Sequence, residues 1–92
     1  MNAGREMPKY RSHKTVWALK IAAIERRRLK PDEEDDGAVL VTPEDPGYAP
    51  FWVDREYVRK HDPQPGGYYV VYADGYKSWS PGQAFEEGYT RL

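Results

Sequence analysis

Tyr68-Tyr69-Val70-Val71-Tyr72-Ala73, then Asp74-Gly75, then Tyr76-Lys77-Ser78-Trp79, is the stretch whose reading decides the fold. The first six residues have high β propensity on both faces. Asp-Gly between two such runs is a strong short-range hairpin signal. It predicts a two-residue type I′ turn with positive φ at Gly75. Tyr76 to Trp79 then returns antiparallel. Beyond it, Ser80-Pro81-Gly82-Gln83 has the form of a capping box, with Ser80 as N-cap and proline at the first helical position. Ala84-Phe85-Glu86-Glu87 completes a short helix, Gly88 is placed as its C-cap, and Tyr89-Thr90-Arg91-Leu92 as a last strand.

On the N-terminal side of the hairpin, Gln64-Pro65-Gly66-Gly67 is a loop. Before it, Asp54 is a good N-cap for a two-turn helix over Arg55 to His61, with Val53 and Val58 spaced for a hydrophobic staple. Tyr57 and Val58 are expected inward. Asp62-Pro63 stops the helix, because the residue before proline is driven out of the α region. Tyr48 to Val53 is extended. Pro43-Glu44-Asp45-Pro46-Gly47 is turn chemistry with Gly47 in the positive-φ position, and Ala38 to Thr42 is a short strand.

Val16-Trp17-Ala18-Leu19-Lys20-Ile21-Ala22-Ala23-Ile24 is ambiguous. Trp17, Leu19 and Ile21 alternate as on a strand, whereas Ala18, Leu19, Ala22 and Ala23 suit a helix. The β-branched and aromatic start favours a strand. A basic run, Glu25 to Lys30, then abuts an acidic one, Pro31 to Gly37, and reads as a solvated hairpin tip. Asp32 to Asp36 lack the alternating ligand spacing of a calcium loop, so no metal is expected there.

The sum is an α+β domain: a small curled antiparallel sheet or open barrel of four or five strands with two short helices. Residues 1–8 form a flexible N-terminus and 9–92 a single domain with a charged loop at 26–37. Ninety-two residues hold one core, not two. At 39% hydrophobic the chain is lean, yet 14% aromatic residues argue against disorder. No apolar run is long enough for a membrane span and the start lacks the apolar core of a secretory signal. With no cysteine there is no disulfide or thiolate site. A cytoplasmic location is the expectation.

A formal net charge of −1 conceals a polar arrangement. Residues 1–30 carry nine Lys/Arg against two acids; residues 31–92 carry five against thirteen. The two blocks either face each other and water, or the basic third meets phosphates. Enzyme chemistry has no pointer: His13 and His61 are the only histidines, and no P-loop, dinucleotide fingerprint or zinc spacing occurs. No catalysis and no cofactor are expected.

Two clusters carry binding chemistry. Tyr10, Arg11, Ser12, His13, Lys14 and Trp17 combine phosphate donors with stacking rings, and Tyr76, Lys77 and Trp79 repeat the combination on the hairpin. Both also have a plain structural reading, as a solvated lead-in to a strand with Trp17 in the core, and as a hairpin with one aromatic face buried.

Pro8-Lys9-Tyr10-Arg11-Ser12-His13-Lys14 with Val16-Trp17-Ala18-Leu19-Lys20-Ile21 resembles the start of a group of small phage and prophage proteins. Gly67 to Tyr72, Asp74-Gly75-Tyr76, Ser80-Pro81 and Ala84 to Thr90 resemble that group's end, while the charged loop departs from it. The layout is similar to phage sponge proteins. That resemblance implies sequestration of a host immune signalling nucleotide in the host bacterial cytoplasm; the two clusters are assigned to it on their own chemistry, and so many Tyr and Trp side chains in so small a chain predict a homo-oligomer, dimer or tetramer. The alternatives are an anti-CRISPR-like inhibitor bound to a host defence protein, and a single-strand nucleic-acid binder, which the acidic remainder disfavours.

Overall fold

The computed structural model describes residues 16–89. Five strands, β1 (Val16–Arg26), β2 (Val39–Pro43), β3 (Phe51–Val53), β4 (Tyr68–Tyr72) and β5 (Lys77–Ser80), and two helices, α1 (Arg55–His61) and α2 (Gly82–Gly88), make the expected α+β architecture. All pairings are antiparallel and the sheet order is β3-β2-β1-β4-β5. With a helix between β3 and β4, this is the strand order of the five-stranded OB barrel, with no pairing between β3 and β5 among the described residues. The predicted terminal strand at 89–92 and flexible residues 1–8 lie outside the described residues, except Tyr89, which is extended.

β1 is a strand throughout, and its mixed pattern has a physical cause. Its first half pairs with β4, Val16↔Tyr72 to Lys20↔Tyr68, and its second half with β2, Ala23↔Thr42 to Arg26↔Val39. At the changeover the register slips between Ile21 and Ala23. Ala22 is the extra residue of a β-bulge, which moves the inward positions from odd to even numbers. Ile21 and Ile24 therefore both face the core although three residues apart, which is the helix-like spacing in the sequence. The core is Ile21, Val39, Val41, Val53 and Tyr57, with Ile24, Phe51, Val58, Tyr69 and Trp79 packed around it.

The Asp54 cap is in place: its carboxylate accepts from Tyr57 N–H at 2.9 Å. α1 ends at Asp62, which is left-handed (φ 43°) and donates its N–H to the Val58 carbonyl at 2.9 Å. Asp62 thus leaves the α region through the left-handed one, not the extended one favoured before proline.

Four local expectations are corrected. The 68–80 hairpin has a three-residue connection. Gly75 N–H donates to the Tyr72 carbonyl at 2.8 Å and Tyr72 N–H to the Tyr76 carbonyl at 2.9 Å. Gly75 has φ 90° but Asp74 does not share a positive φ, so a type I′ turn is excluded. The pattern is a turn closed by a left-handed glycine in a bulge. Gly47 has no positive φ; the Asp45 side chain accepts from Gly47 N–H at 2.8 Å and makes that turn instead.

Ser80 does not cap α2. It belongs to β5, paired with Tyr68, and its hydroxyl bonds the Pro81 carbonyl at 3.3 Å. Pro81 stands at the cap with no side-chain bond, and Gly88 lies inside the helix, followed by extended Tyr89. The two sites therefore predict opposite outcomes. Asp54→Ala should cost about 0.5–2 kcal/mol through the lost cap, while Ser80→Ala should stay within about 0.5 kcal/mol. Urea titration of both variants checks this; equal losses would contradict the assignment of the caps.

Candidate functional site

α1 and the β4–β5 hairpin approach each other on one face of the sheet. Tyr57, the residue of α1 in the core, donates its hydroxyl to the Ser78 carbonyl at 2.6 Å. Burial pushes the Tyr57 phenol pKa well up, so it stays a donor at any ordinary pH. Three and four residues later, about one turn on, Lys60 and His61 share its side of the helix. The Lys60 ammonium lies 5.0 Å from the Tyr76 ring centroid. The His61 ring is 4.8 Å from Tyr57 and 6.2 Å from Tyr76.

Between these walls is an open cleft of about 360 Å³, lined by Asp54, Glu56, Tyr57, Lys60, His61, Tyr76 and Lys77. Burial, and secondarily the Lys60 charge, lower the His61 pKa below its usual 6.5. Below pH 6.5 the unfolded chain therefore binds more protons at His61 than the folded one, and this group's contribution to stability falls as pH falls.

The sequence-predicted residues divide. Tyr10, Arg11, Ser12, His13 and Lys14 lie outside the described residues. Tyr76 and Lys77 both line the cleft. Trp17 is not in the core: it is 61% exposed. Its register partner Val71 is also the partner of Lys77, so Trp17, Val71 and Lys77 form one cross-strand row on the face that carries the cleft. Trp79 follows the opposite course. It packs, half-buried, against the core, and its Nε1 is buried with no hydrogen-bond partner among the described residues. Sequence reasoning missed Lys60, His61 and Glu56 as cleft residues. Their signal was present as helical spacing from Tyr57, but only the docking of α1 on β5 gives it a target.

The opposite face of the sheet carries α2. Phe85 stacks on Tyr68 at 4.2 Å and Tyr89 on Phe85 at 4.5 Å. Glu86 accepts from the Tyr68 hydroxyl at 2.8 Å and from Lys20 at 3.1 Å, and these bonds hold its pKa below the usual carboxylate value. The charged loop closes on itself, with Arg26 beside Asp35 at 3.8 Å and Arg27 beside Asp36 at 3.6 Å. There the basic and acidic blocks do face each other. Large side chains also stand free at Trp52 and Tyr48 on and before β3. Among the described residues no helix is long and apolar enough to cross a membrane.

No protein-family model and no curated protein matches the chain. Among solved structures it is similar to the monomeric form of the phage L decoration protein, determined by NMR in solution. Identity is 28% and the TM-score 0.63, over 89% of this chain and 55% of that one. The chain thus spans little more than half the length of that protein. This neighbour overturns the expectation of a sponge for a host signalling nucleotide, the anti-CRISPR-like and single-strand alternatives, and the host-defence partner. The resemblance to phage proteins keeps its coarse form: a solved structure to which this chain is similar is that of a phage decoration protein.

Proposed function

We propose that this chain is a structural module that docks on the outside of a phage capsid, a decoration protein with no chemical turnover. The observation that supports it is the shared fold with the phage L decoration protein at 28% identity over 89% of this chain. Its surface suits a binding module. Trp17, Trp52, Tyr48 and Tyr76 are exposed, and large aromatic side chains are the preferred anchors of protein interfaces. A capsid presents many equivalent sites, so weak single contacts suffice when the module is added in excess.

The test is co-sedimentation of the purified chain with tailed-phage capsids, including phage L capsids stripped of their own decoration protein. Saturable binding at a fixed ratio to coat subunits is expected. Failure to sediment with any capsid at micromolar concentration would overturn the reading.

A further inference from the structure

The cleft between α1 and the β4–β5 hairpin has a composition that selects among ligands. It is lined by Lys60 and Lys77, neither of which has an ion-pair partner among the described residues. The contrast is Lys20, whose ammonium is held by Glu86 at 3.1 Å. Tyr76 supplies a ring against which Lys60 is already poised, and the His61 and Tyr57 rings close the floor.

The acidic groups in the same cleft set a limit on the charge it accepts. Asp54 is committed to the α1 cap, and Glu56 acts on Lys60 by its charge, after the Tyr76 hydroxyl. Their negative charge disfavours a multiply charged anion such as a nucleotide phosphate, while leaving the two ammonium groups for a single carboxylate. From Lys77 in the cleft, the cross-strand row continues on the same face through half-buried Val71 to Trp17, which is exposed. Strand spacing of about 4.8 Å puts Trp17 roughly 10 Å from Lys77 across the sheet, the reach of about three residues of extended chain.

We infer that this cleft and the Trp17 row together bind an acidic peptide segment, with a carboxylate on Lys60 and Lys77 and a neighbouring apolar side chain against Trp17 and Val71. The site goes beyond the capsid-docking reading and is tested without any capsid. Interface aromatics anchor such a segment by burial, and the charge pair sets its register.

The experiment is an amide and indole NMR titration of the whole chain with the blocked peptide Ac-Leu-Glu-Ala-Leu-NH2. The parallel arms are Ac-Leu-Gln-Ala-Leu-NH2, free glutarate and inorganic phosphate. Saturable shifts at Lys60, His61, Tyr76, Lys77 and the Trp17 indole are expected with the acidic peptide. The Gln peptide should bind about tenfold more weakly, the scale of one to two partly exposed charge pairs. Lys60→Glu with Lys77→Glu should weaken the acidic peptide by at least that factor. Both residues are exposed, so the fold should persist, and Lys60→Gln with Lys77→Gln serves if it does not.

A bound carboxylate should also raise the His61 pKa, which is held down by burial and faces Lys60, Lys77, Tyr57 and Tyr76, with Glu56 and Asp54 on the same cleft wall. Equal binding of the two peptides would overturn the proposal. So would unchanged binding by the charge-reversed variant, or shifts by phosphate or glutarate as strong as those by the peptide.

Discussion

Ile21→Ala should lower stability by about 2–5 kcal/mol, the range for deleting a fully buried aliphatic side chain. Ile21 is 1% exposed and packs with Val39, Val41, Val53 and Tyr57. Its backbone cannot close the space left behind. The Ile21 N–H donates to the Gly67 carbonyl at 2.9 Å and its own carbonyl accepts from Gly66 N–H at 2.8 Å. Lys20, next in the chain, is held the same way by Glu44 N–H at 2.8 Å. These bonds pin the bulge where β1 passes from one partner strand to the other, so relaxation is small and the cavity term is large. The variant should therefore melt on the order of 10 °C or more lower, at about 4–8 °C per kcal/mol. Ile24→Ala, at a half-buried position, is the control and should cost less. A urea titration giving Ile21→Ala under about 1 kcal/mol would show that the core collapses around the site.

Gly67→Val should be comparably damaging for the opposite reason. A Cβ on Gly67 would overlap the Cζ2–Cε2–Nε1 edge of the Trp79 indole. Neither side can step aside cheaply. Gly67 is bonded through its N–H to Gln64 and through its carbonyl to Ile21, and Trp79 lies against the core. Overpacking of this kind costs about 1–3 kcal/mol, and more where the backbone is held. Fluorescence should separate expulsion of Trp79 from a general loss of stability. Trp17 and Trp52 are already 61% and 51% exposed, so the buried, blue-shifted emission belongs to Trp79 and should move red in the folded variant. Trp79→Val should relieve the clash, so the double variant should be less destabilised than the sum of the two. Strict additivity would place the cost elsewhere than the Gly67–Trp79 contact.

The two predictions meet where local signals end. Asp54 before a short amphipathic turn, Pro63 after it, and the β-rich runs flanking Asp74-Gly75 determined α1 and the β4–β5 hairpin from the sequence by itself. Caps, prolines and left-handed glycines act within four or five residues, and their chemistry does not depend on the rest of the fold. The same kind of signal misled at Ser80. A serine three residues before a glutamine has the pattern of a capping box, but pairing with Tyr68 draws Ser80 into β5, and a ladder partner from twelve residues away outweighs one side-chain bond.

The tertiary structure alone decided which face each aromatic takes. Trp17 and Trp79 occupy the same face of the same sheet, yet one is exposed and the other packed, because α1 and the 64–67 loop cover one end of that face and not the other. The bulge at Ala22 was equally illegible: a single extra residue makes Ile21 and Ile24 look helical, and only the exchange of β4 for β2 as partner reveals it as a strand changing parity. The cleft shares that origin. Lys60 and His61 acquire Tyr76 and Lys77 as neighbours because the Tyr57 hydroxyl ties α1 to the Ser78 carbonyl, a contact between residues twenty-one positions apart that no local pattern encodes.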